Sequence, residues 1–266
     1  MLGILEWKTG RDGCRTVTFQ ERRILHTRFL CAEIVSGEHT PAAVVRHRVR
    51  TAAKGLRMQR VPSVILPANF PFGTLLEESG LSPVSTVPLR QLLASEWAQA
   101  LLRVQGCPAA RTRVLVSAET PGEAVTGAVE SLSRFCRYVI LDLPSGGDAL
   151  RQNLWCEYGV ALQPVTADAS PVDLALYFAP GRAETPPAKI ALRLYAETDS
   201  LPTLMLPPEM ETVLPAALDR AQLLSALVQT GALRRGQIAV GPLFDGGPPL
   251  TIGHPASIIQ GYDNIE

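Results

Sequence analysis

Paired cysteines, long apolar runs and lysine are all scarce in this sequence. The 266 residues include five cysteines, an odd number, and no two of them have the spacing of a C-x-x-C motif. This argues against a disulfide framework and indicates a reducing compartment. No uninterrupted apolar stretch reaches the roughly 18 residues that a membrane span needs. The N-terminus also has no basic segment followed by an apolar run, as a signal peptide would. We therefore expect a cytoplasmic protein without a membrane segment.

The common catalytic and metal-binding motifs are also missing. The sequence contains no H-E-x-x-H, no G-x-x-x-x-G-K-[ST] and no G-x-S-x-G, the patterns typical of zinc proteases, phosphate-binding loops and serine hydrolases. Its four histidines are scattered along the chain, at His26, His39, His47 and His254. We therefore predict no metal site, and nothing in the sequence supports a Ser-His-Asp triad.

The composition itself is that of a folded α/β protein. Hydrophobic residues make up 46% of the chain and aromatic residues 6%, which is enough apolar material for a core. The apolar side chains are mostly Leu, Val and Ala, as expected for buried parallel strands that are covered by helices. A positive mean hydropathy of +0.13 is compatible with self-association into a homo-oligomer.

Charge is balanced overall but unevenly distributed. Residues 1–76 carry twelve Lys and Arg against five Asp and Glu, whereas the remaining residues carry thirteen against twenty. The first part is therefore +7 and the second −7, an asymmetry that can mark a polyanionic partner. Only three of the basic residues are lysines, namely Lys8, Lys54 and Lys189.

Residues 1–110 show the patterns of a mixed α+β region. A turn at residues 9–13 favours a hairpin between strands at Leu2–Lys8 and Arg15–Gln20. Thr40 and Pro41 form a helix-start signal. The other predicted elements of this region are a strand at Phe29–Val35, a helix to about Arg60, a strand at Ser63–Ala68, a short helix at Phe72–Ser79 closed by Gly80, and a helix from about Pro88 to Gln105.

The predicted helix 41–60 has a basic stripe. Its members recur every three or four residues at Arg46, Arg50, Lys54, Arg57 and Arg60. An arginine-lined face can bind phosphates or an acidic partner. However, no aromatic residue interrupts the stripe and no nucleic-acid motif accompanies it, so a solvated helix face is favoured and a nucleic-acid partner is disfavoured.

Strands and helices alternate over residues 113–178. The predicted strands are Arg113–Ala118, Tyr138–Leu143, Ala161–Val165 and Asp173–Phe178. Between the first two lies a helix with one apolar face, and Thr120-Pro121-Gly122-Glu123 before it is expected to form a capping box. A second helix begins after Ser145 and ends at Tyr158. This alternation predicts parallel strands joined by right-handed crossovers.

The unit at residues 113–178 resembles the first βαβ unit of the Rossmann dinucleotide-binding superfamily, whose turn reads G-x-G-x-x-G. The three glycine positions are here Ser117, Glu119 and Gly122. Asp142 follows Gly122 by twenty residues, where the family places the acidic residue that binds the adenosine ribose. The resemblance implies NAD(P) as cofactor, but Glu119 puts a carboxylate against the phosphate charge and argues for an altered or lost site.

Two further kinds of candidate residue lie in this part of the chain. Gly146 and Gly147 at a helix start expose amides that suit an anionic or nucleotide-like ligand, although such loops commonly act as caps alone. Glu96 and Glu157 lie on apolar helix stripes, where a buried carboxylate would have a raised pKa and could act as a general acid or base. The alternative for each carboxylate is a place at the edge of its helix.

We therefore expect an α/β protein with a mixed α+β N-terminal region (1–110) and a mostly parallel Rossmann-like domain (111–266) flanked by helices. This layout is similar in outline to shikimate-dehydrogenase-like enzymes, which place substrate in a cleft between two domains. Three interpretations stay open. The chain is a small-ligand-binding or scaffold protein with an altered dinucleotide site, an NAD(P)-dependent oxidoreductase, or an interaction protein that uses the basic helix 41–60.

Overall fold

A computed structural model describes residues 1–10, 16–37, 39–165, 170–181 and 186–241. Most of the predicted turn at residues 9–13, Cys14, and the C-terminal tail with His254 lie outside the described residues.

The first part of the chain contains the predicted elements, with some changes at their ends. Up to Val104 it forms β1 (Leu2–Lys8), β2 (Val17–Ile24), β3 (Thr27–Val35), α1 (Ala42–Met58), β4 (Ser63–Ile65), α2 (Gly73–Glu78), β5 (Ser82–Pro83), α3 (Val87–Leu92) and α4 (Ala94–Val104). The single helix predicted over residues 88–105 is two helices, because the backbone of Leu93, with ψ near 9°, leaves the helical conformation between them.

The second part alternates strands and helices over residues 113–178, as predicted, and continues with further short elements. Its elements are β6 (Arg113–Ser117), α5 (Glu123–Phe135), β7 (Tyr138–Asp142), α6 (Gly147–Tyr158), β8 (Gln163–Pro164), β9 (Val172–Tyr177), β10 (Ala188–Arg193), β11 (Leu204–Met205), α7 (Pro208–Glu211), α8 (Arg220–Gln229), a 3-10 turn at Arg235–Gln237 and β12 (Ala239–Val240). None of the described helices is long and apolar enough to cross a membrane.

These elements form two compact units. The first unit comprises Met1–Leu89 and Leu206–Ile238, and the second comprises Arg90–Met205 with the described residues from Ala239 on. In this division the chain leaves the first unit after Leu89 and returns to it through residues 206–238. The boundary expected after residue 110 stays a prediction.

The first unit is built on a mixed five-stranded sheet in the order β2-β3-β1-β4-β5. Strand β1 is parallel to both β3 and β4, and β4 is parallel to β5. On one face the sheet packs against α1 and α2, in a core that includes Leu5, Ile34, Val49, Leu56 and Leu76. Burial of such side chains, at about 25 cal/mol per Å² of apolar surface, is the main stabilising term of this unit.

The hairpin expected between β1 and β2 is wrong. Strand β2 pairs with β3 instead, in antiparallel register from Val17↔Ile34 to Ile24↔Thr27. The two residues between them, Leu25 and His26, both have positive φ, at 44° and 56°. This is the type I′ geometry that matches the twist of two-residue hairpins. The turn was missed because it lacks the Asn or Gly that usually marks it.

The second unit is built on a parallel sheet in the order β10-β9-β6-β7-β8. Every adjacent pair of strands in it is parallel. If the strands are numbered along the chain from β6 and read from β8 to β10, the order is 3-2-1-4-5. This is the order of the first five strands of the Rossmann fold. The predicted α/β class with a parallel Rossmann-like sheet is therefore confirmed.

Helices α4, α5 and α6 contribute to one core with this sheet. The core includes Trp97 and Leu101 from α4, Val129 from α5, Leu154 from α6 and Val116 from β6. Because strands of a parallel sheet are apolar on both faces, the opposite face is also buried, with a second cluster that includes Leu115, Ile140 and Ala175.

Candidate functional site

The carboxyl edge of the second sheet brings Ser117 and Asp142 together. Ser117 ends β6, Asp142 ends β7, and the two are partners in the register of this parallel pair. The Ser117 hydroxyl donates a hydrogen bond to Asp142 Oδ2 at 2.7 Å, and Ser117 is only 3% exposed. One carboxylate oxygen of Asp142 is thus bound by the neighbouring strand of the same sheet.

The loop after β6 carries the other two positions of the fingerprint. Glu119 is exposed. Gly122 has an extended backbone, with φ −86° and ψ 169°, and precedes α5 without any side-chain cap. The predicted capping box is therefore wrong, because the helix begins at Glu123 and Thr120 lies too far ahead of its first turn. A Cβ added at Gly122 would meet no described atom within 4 Å, so this backbone is accessible.

The glycine pair before α6 has a structural explanation. Gly146 has a left-handed φ of +75°, which glycine adopts without strain. A Cβ at Gly146 would lie 2.9 Å from Cγ of Pro121, so the loop after β7 touches the loop after β6. The N-cap residue of α6 is Gly146, and Gly147 is the first residue of the helix. The anion site at Gly146 and Gly147 stays a prediction.

The two candidate carboxylates on helices are not buried. Glu96 is half-buried, and its Oε2 accepts a hydrogen bond from the Ser95 hydroxyl at 3.0 Å. The buried face of α4 runs through Ala94, Trp97, Ala98 and Leu101, so the predicted stripe through Glu96 is displaced from the true one. Glu157 on α6 is exposed. Neither carboxylate is fully buried on an apolar helix face, as the sequence had suggested.

Two of the cysteines lie in different environments, and the whole basic stripe is exposed. Cys136 is buried and its burial raises its pKa to about 11, whereas Cys156 is exposed. All five members of the basic stripe on α1 and its end are exposed, namely Arg46, Arg50, Lys54, Arg57 and Arg60.

Two of the stripe's arginines bind their own unit. Arg50 lies 3.8 Å from the carboxylate of Glu78, and Arg57 donates to the carbonyl of Ser79 at 3.1 Å. Surface pairs of this kind contribute little to stability, about 0–1 kcal/mol. The interaction surface on helix 41–60 stays a prediction.

The first unit contains a cavity that the sequence analysis did not identify. It has a volume of about 340 Å³. Its position is at the carboxyl ends of β1 and β4, which are adjacent parallel strands. We call it the β1–β4 cavity; its lining residues are Glu6, Trp7, Arg22, Pro67 and Pro215–Leu218.

A pair of opposite charges forms one wall of this cavity. Arg22 on β2 donates through Nη1 to Glu6 on β1. The side chain of Glu6 is 17% exposed and that of Arg22 is 39% exposed. The Cys31 thiol lies 3.6 Å from the other Glu6 oxygen. Burial, followed by the charge of Glu6, raises the pKa of Cys31 to about 12, so this cysteine remains a neutral thiol.

A second ion pair lies on the same face of the first sheet. Lys8 Nζ donates to Glu33 Oε2 at 2.7 Å, and Thr18 donates to the same oxygen at 3.0 Å. The hydrogen bond from Lys8 is the main cause that lowers the pKa of Glu33, against the opposing effect of burial. Glu6 and Glu33 were visible in the sequence as carboxylates inside apolar strands. The sequence could not show that Arg22 lies beside Glu6, because the order of the strands in the sheet was unknown.

A larger cavity of about 410 Å³ lies at the other edge of the second sheet. It is lined by residues at the amino ends of β7 and β8, including Tyr138 and Gln163, and by Ser133 and Cys136 at the end of α5. Ligands of open α/β sheets bind outside the carboxyl ends of the strands, so the β1–β4 cavity has the more favourable position. Within the described residues, no group of three or more His, Cys, Asp and Glu could hold a metal ion.

Comparisons with known proteins add little to this geometry. No protein-family model matches the sequence, and no curated protein matches it either. The solved structures with some similarity include L-tryptophan dehydrogenase from Nostoc punctiforme, at 11% identity and a TM-score of 0.28, over 56% of this chain and 44% of that chain. Another is phosphoglycerate oxidoreductase from Vibrio cholerae O395, at 11% identity and a TM-score of 0.28, over 69% of this chain and 68% of that chain.

The alignment thus spans less than half of the tryptophan dehydrogenase. Similarity at this level carries no argument about activity, so the fold assignment rests on the strand order of the second sheet.

Proposed function

We propose that this chain is a small-ligand-binding protein whose Rossmann-type unit no longer holds a dinucleotide in the conventional way. The hydrogen bond between Ser117 and Asp142 supports this proposal most directly. In the dinucleotide-binding family the first glycine of the turn allows the chain to turn tightly, and the acidic residue binds the ribose of the ligand. Here a buried hydroxyl stands at the glycine position and binds the acidic residue.

The charge of Glu119 supports the same proposal. The second glycine of the family's turn lets the backbone approach the pyrophosphate. A carboxylate at this position repels the phosphate by about 1 kcal/mol at 4 Å in water, and by about 4 kcal/mol at the lower effective dielectric near a protein surface. The contact between Pro121 and Gly146 further joins the two loops that would have to accommodate the ligand.

An NAD(P)-dependent oxidoreductase with a two-domain, shikimate-dehydrogenase-like layout is the second candidate. The accessible backbone at Gly122 favours it, because the pyrophosphate of a bound dinucleotide approaches the start of this helix. Two alternatives remain: a pure scaffold role, which predicts that no small molecule stabilises the chain, and an interaction protein that uses the basic helix 41–60.

Thermal unfolding with each of NAD⁺, NADH, NADP⁺ and NADPH at millimolar concentration tests the proposal. A ligand that binds only the folded state at 100 times its dissociation constant adds about 2.7 kcal/mol to the free energy of unfolding. We expect no shift of the unfolding temperature with any of the four.

The variant Glu119→Gly separates the two candidates, with Glu157→Gln as a control that removes an exposed carboxylate elsewhere in the same unit. A shift in the native chain that grows in Glu119→Gly and stays constant in Glu157→Gln would overturn the proposal in favour of the oxidoreductase.

A further inference from the structure

The β1–β4 cavity lies where an open α/β sheet is expected to bind ligands. Strand β1 occupies the middle of the first sheet, and the chain places β3 on one side of it and β4 on the other. The cavity lies at the carboxyl ends of the adjacent parallel strands β1 and β4, which is the end at which open α/β sheets bind their ligands. The volume of about 340 Å³ falls at the lower end of the range for small-molecule sites, roughly 300–1,000 Å³. A small metabolite fits this space.

The walls of the cavity are held by the fold without any ligand. The segment Pro215–Leu218 lies against residues 66–68, where the amide of Ala68 donates to the carbonyl of Ala217 at 3.0 Å and the amide of Asp219 donates to the carbonyl of Leu66 at 2.8 Å. Pro67 and Leu218 form an isolated antiparallel bridge. A site preformed in this way spends little binding free energy on ordering its own loops.

The charges on the cavity wall define the ligand. An anion near Arg22 would also meet Glu6, and a cation near Glu6 would also meet Arg22, so a ligand with a single charge gains from one partner and loses to the other. A molecule with both charges meets each of them favourably, since each of its charges lies beside a side chain of opposite sign. The guanidinium has five N–H donors, and binding Glu6 through Nη1 leaves others for a carboxylate.

We infer that the β1–β4 cavity binds a small zwitterion, an α-amino acid whose carboxylate is held by Arg22 and whose ammonium group is held by Glu6. The remaining walls are formed by Trp7, Pro67, Pro215 and Leu218 with two alanines; they are largely apolar and suit an apolar side chain such as a short aliphatic one. This inference rests on the proposed function only in treating the chain as a small-ligand-binding protein. It gives that function a site and a class of ligand.

Isothermal calorimetry and thermal unfolding of the full chain test the inference with three probes. They are L-valine, isobutylamine, which lacks the carboxylate, and isovalerate, which lacks the ammonium group. We expect L-valine to bind, and each single-charge analogue to bind at least about tenfold more weakly, a factor equivalent to about 1.4 kcal/mol. Failure of L-valine to bind, or equal binding of the three probes, overturns the inference.

Variants place the binding in the cavity. Arg22→Met and Glu6→Gln should each weaken L-valine binding at least about tenfold. Glu33→Gln is the matched control, because it changes the neighbouring pair on the same sheet face and should leave binding unchanged. The double variant Glu6→Gln/Arg22→Met leaves no unpaired charge and serves where a single variant unfolds. Binding that persists unchanged in the double variant also overturns the inference.

The two proposals fail in different experiments. A dinucleotide that binds the second unit contradicts the proposed function and leaves the zwitterion site standing, whereas an absence of L-valine binding contradicts the zwitterion site alone.

Discussion

Glu33 is a carboxylate inside an apolar strand whose charged form is stabilised by hydrogen-bond donors. Lys8 and Thr18 donate to its Oε2, and the amide of Gln20 donates to its Oε1 at 2.5 Å. The bond from Lys8, and to a smaller extent that from Thr18, holds the pKa of Glu33 below its ordinary value, against the opposing effect of burial. A carboxyl whose pKa is lowered on folding stabilises the protein above the unfolded pKa, about 4.3 for Glu, and this stabilisation is lost as the pH falls through the folded value.

We therefore expect Glu33→Gln to lower the free energy of unfolding at neutral pH by about 1 kcal/mol or less, since Lys8 is largely exposed and such pairs are screened by solvent. The difference from the native chain should shrink as the pH is lowered from about 6 to about 3, because the native carboxyl then becomes neutral as well. Urea unfolding at a series of pH values measures it.

The control for this prediction is Glu21→Gln, an exposed position on β2. A difference between Glu33→Gln and the native chain that stays constant over the whole pH range would contradict a role for the ionised carboxylate.

At the scale of single residues, the sequence predicted positions better than contacts. It assigned Ser117 and Asp142 to strands and Gly122 and Gly146 to the starts of the helices that follow, and the structure has them there. It could not predict that Ser117 donates to Asp142, since that bond depends on the side-by-side register of β6 and β7. The ion pair between Arg22 and Glu6 could not be predicted either, because it depends on the order of β2, β3 and β1 in the first sheet.

At the scale of elements, the turn between β2 and β3 is the most unusual local structure. Leu25 and His26 both adopt left-handed conformations, which cost non-glycine residues roughly 1–2 kcal/mol each. His26 is exposed, so its side chain can be removed without loss of a core contact.

We expect His26→Gly to raise the free energy of unfolding by up to about 1 kcal/mol, because the relief of strain exceeds the entropy that glycine adds to the unfolded chain. Thermal unfolding measures the change. His26→Ala keeps the Cβ and should show little gain, whereas an equal gain in both variants would mean that the imidazole, and not the backbone, is responsible.

Most helices and parallel strands were predictable because their periodicity and flanking glycines are local signals. The helices α1, α5 and α6 and the strands of the second sheet lie close to their predicted ranges. The hairpin was assigned to the wrong pair of strands, because β1 is parallel to β3 through contacts between residues far apart in sequence. Local patterns carry no information about such pairing.

At the scale of the whole molecule, the first unit depends on a segment that is distant in sequence. Residues 206–238 supply helix α8, whose Gln222 side chain accepts a hydrogen bond from the amide of Leu66 at 3.0 Å, while Ser225 donates to the carbonyl of Ser85 at 2.6 Å. Near the start of the chain, the hydroxyls of Thr27 and Thr230 lie 3.1 Å apart.

A fragment that ends at residue 110, the boundary expected from the sequence, should therefore not fold alone, because it lacks these partners and the apolar surface that α8 covers. Circular dichroism and amide exchange of the fragment measure this. A chain in which residues 206–238 follow residue 89 through a flexible glycine and serine linker should regain cooperative unfolding. A stably folded 1–110 fragment would contradict the division into units.

The return of the chain through residues 206–238 also sets an order of events during protein synthesis. Domains generally fold as they leave the ribosome, the N-terminal one first. Here the first unit to emerge must wait for its last helix, while residues 90–205 are contiguous and can fold earlier. For the time that the ribosome takes to reach α8, the β1–β4 cavity lacks the wall formed by Pro215–Leu218. The nascent N-terminal strands are therefore the part of this protein for which a chaperone has the most time to act.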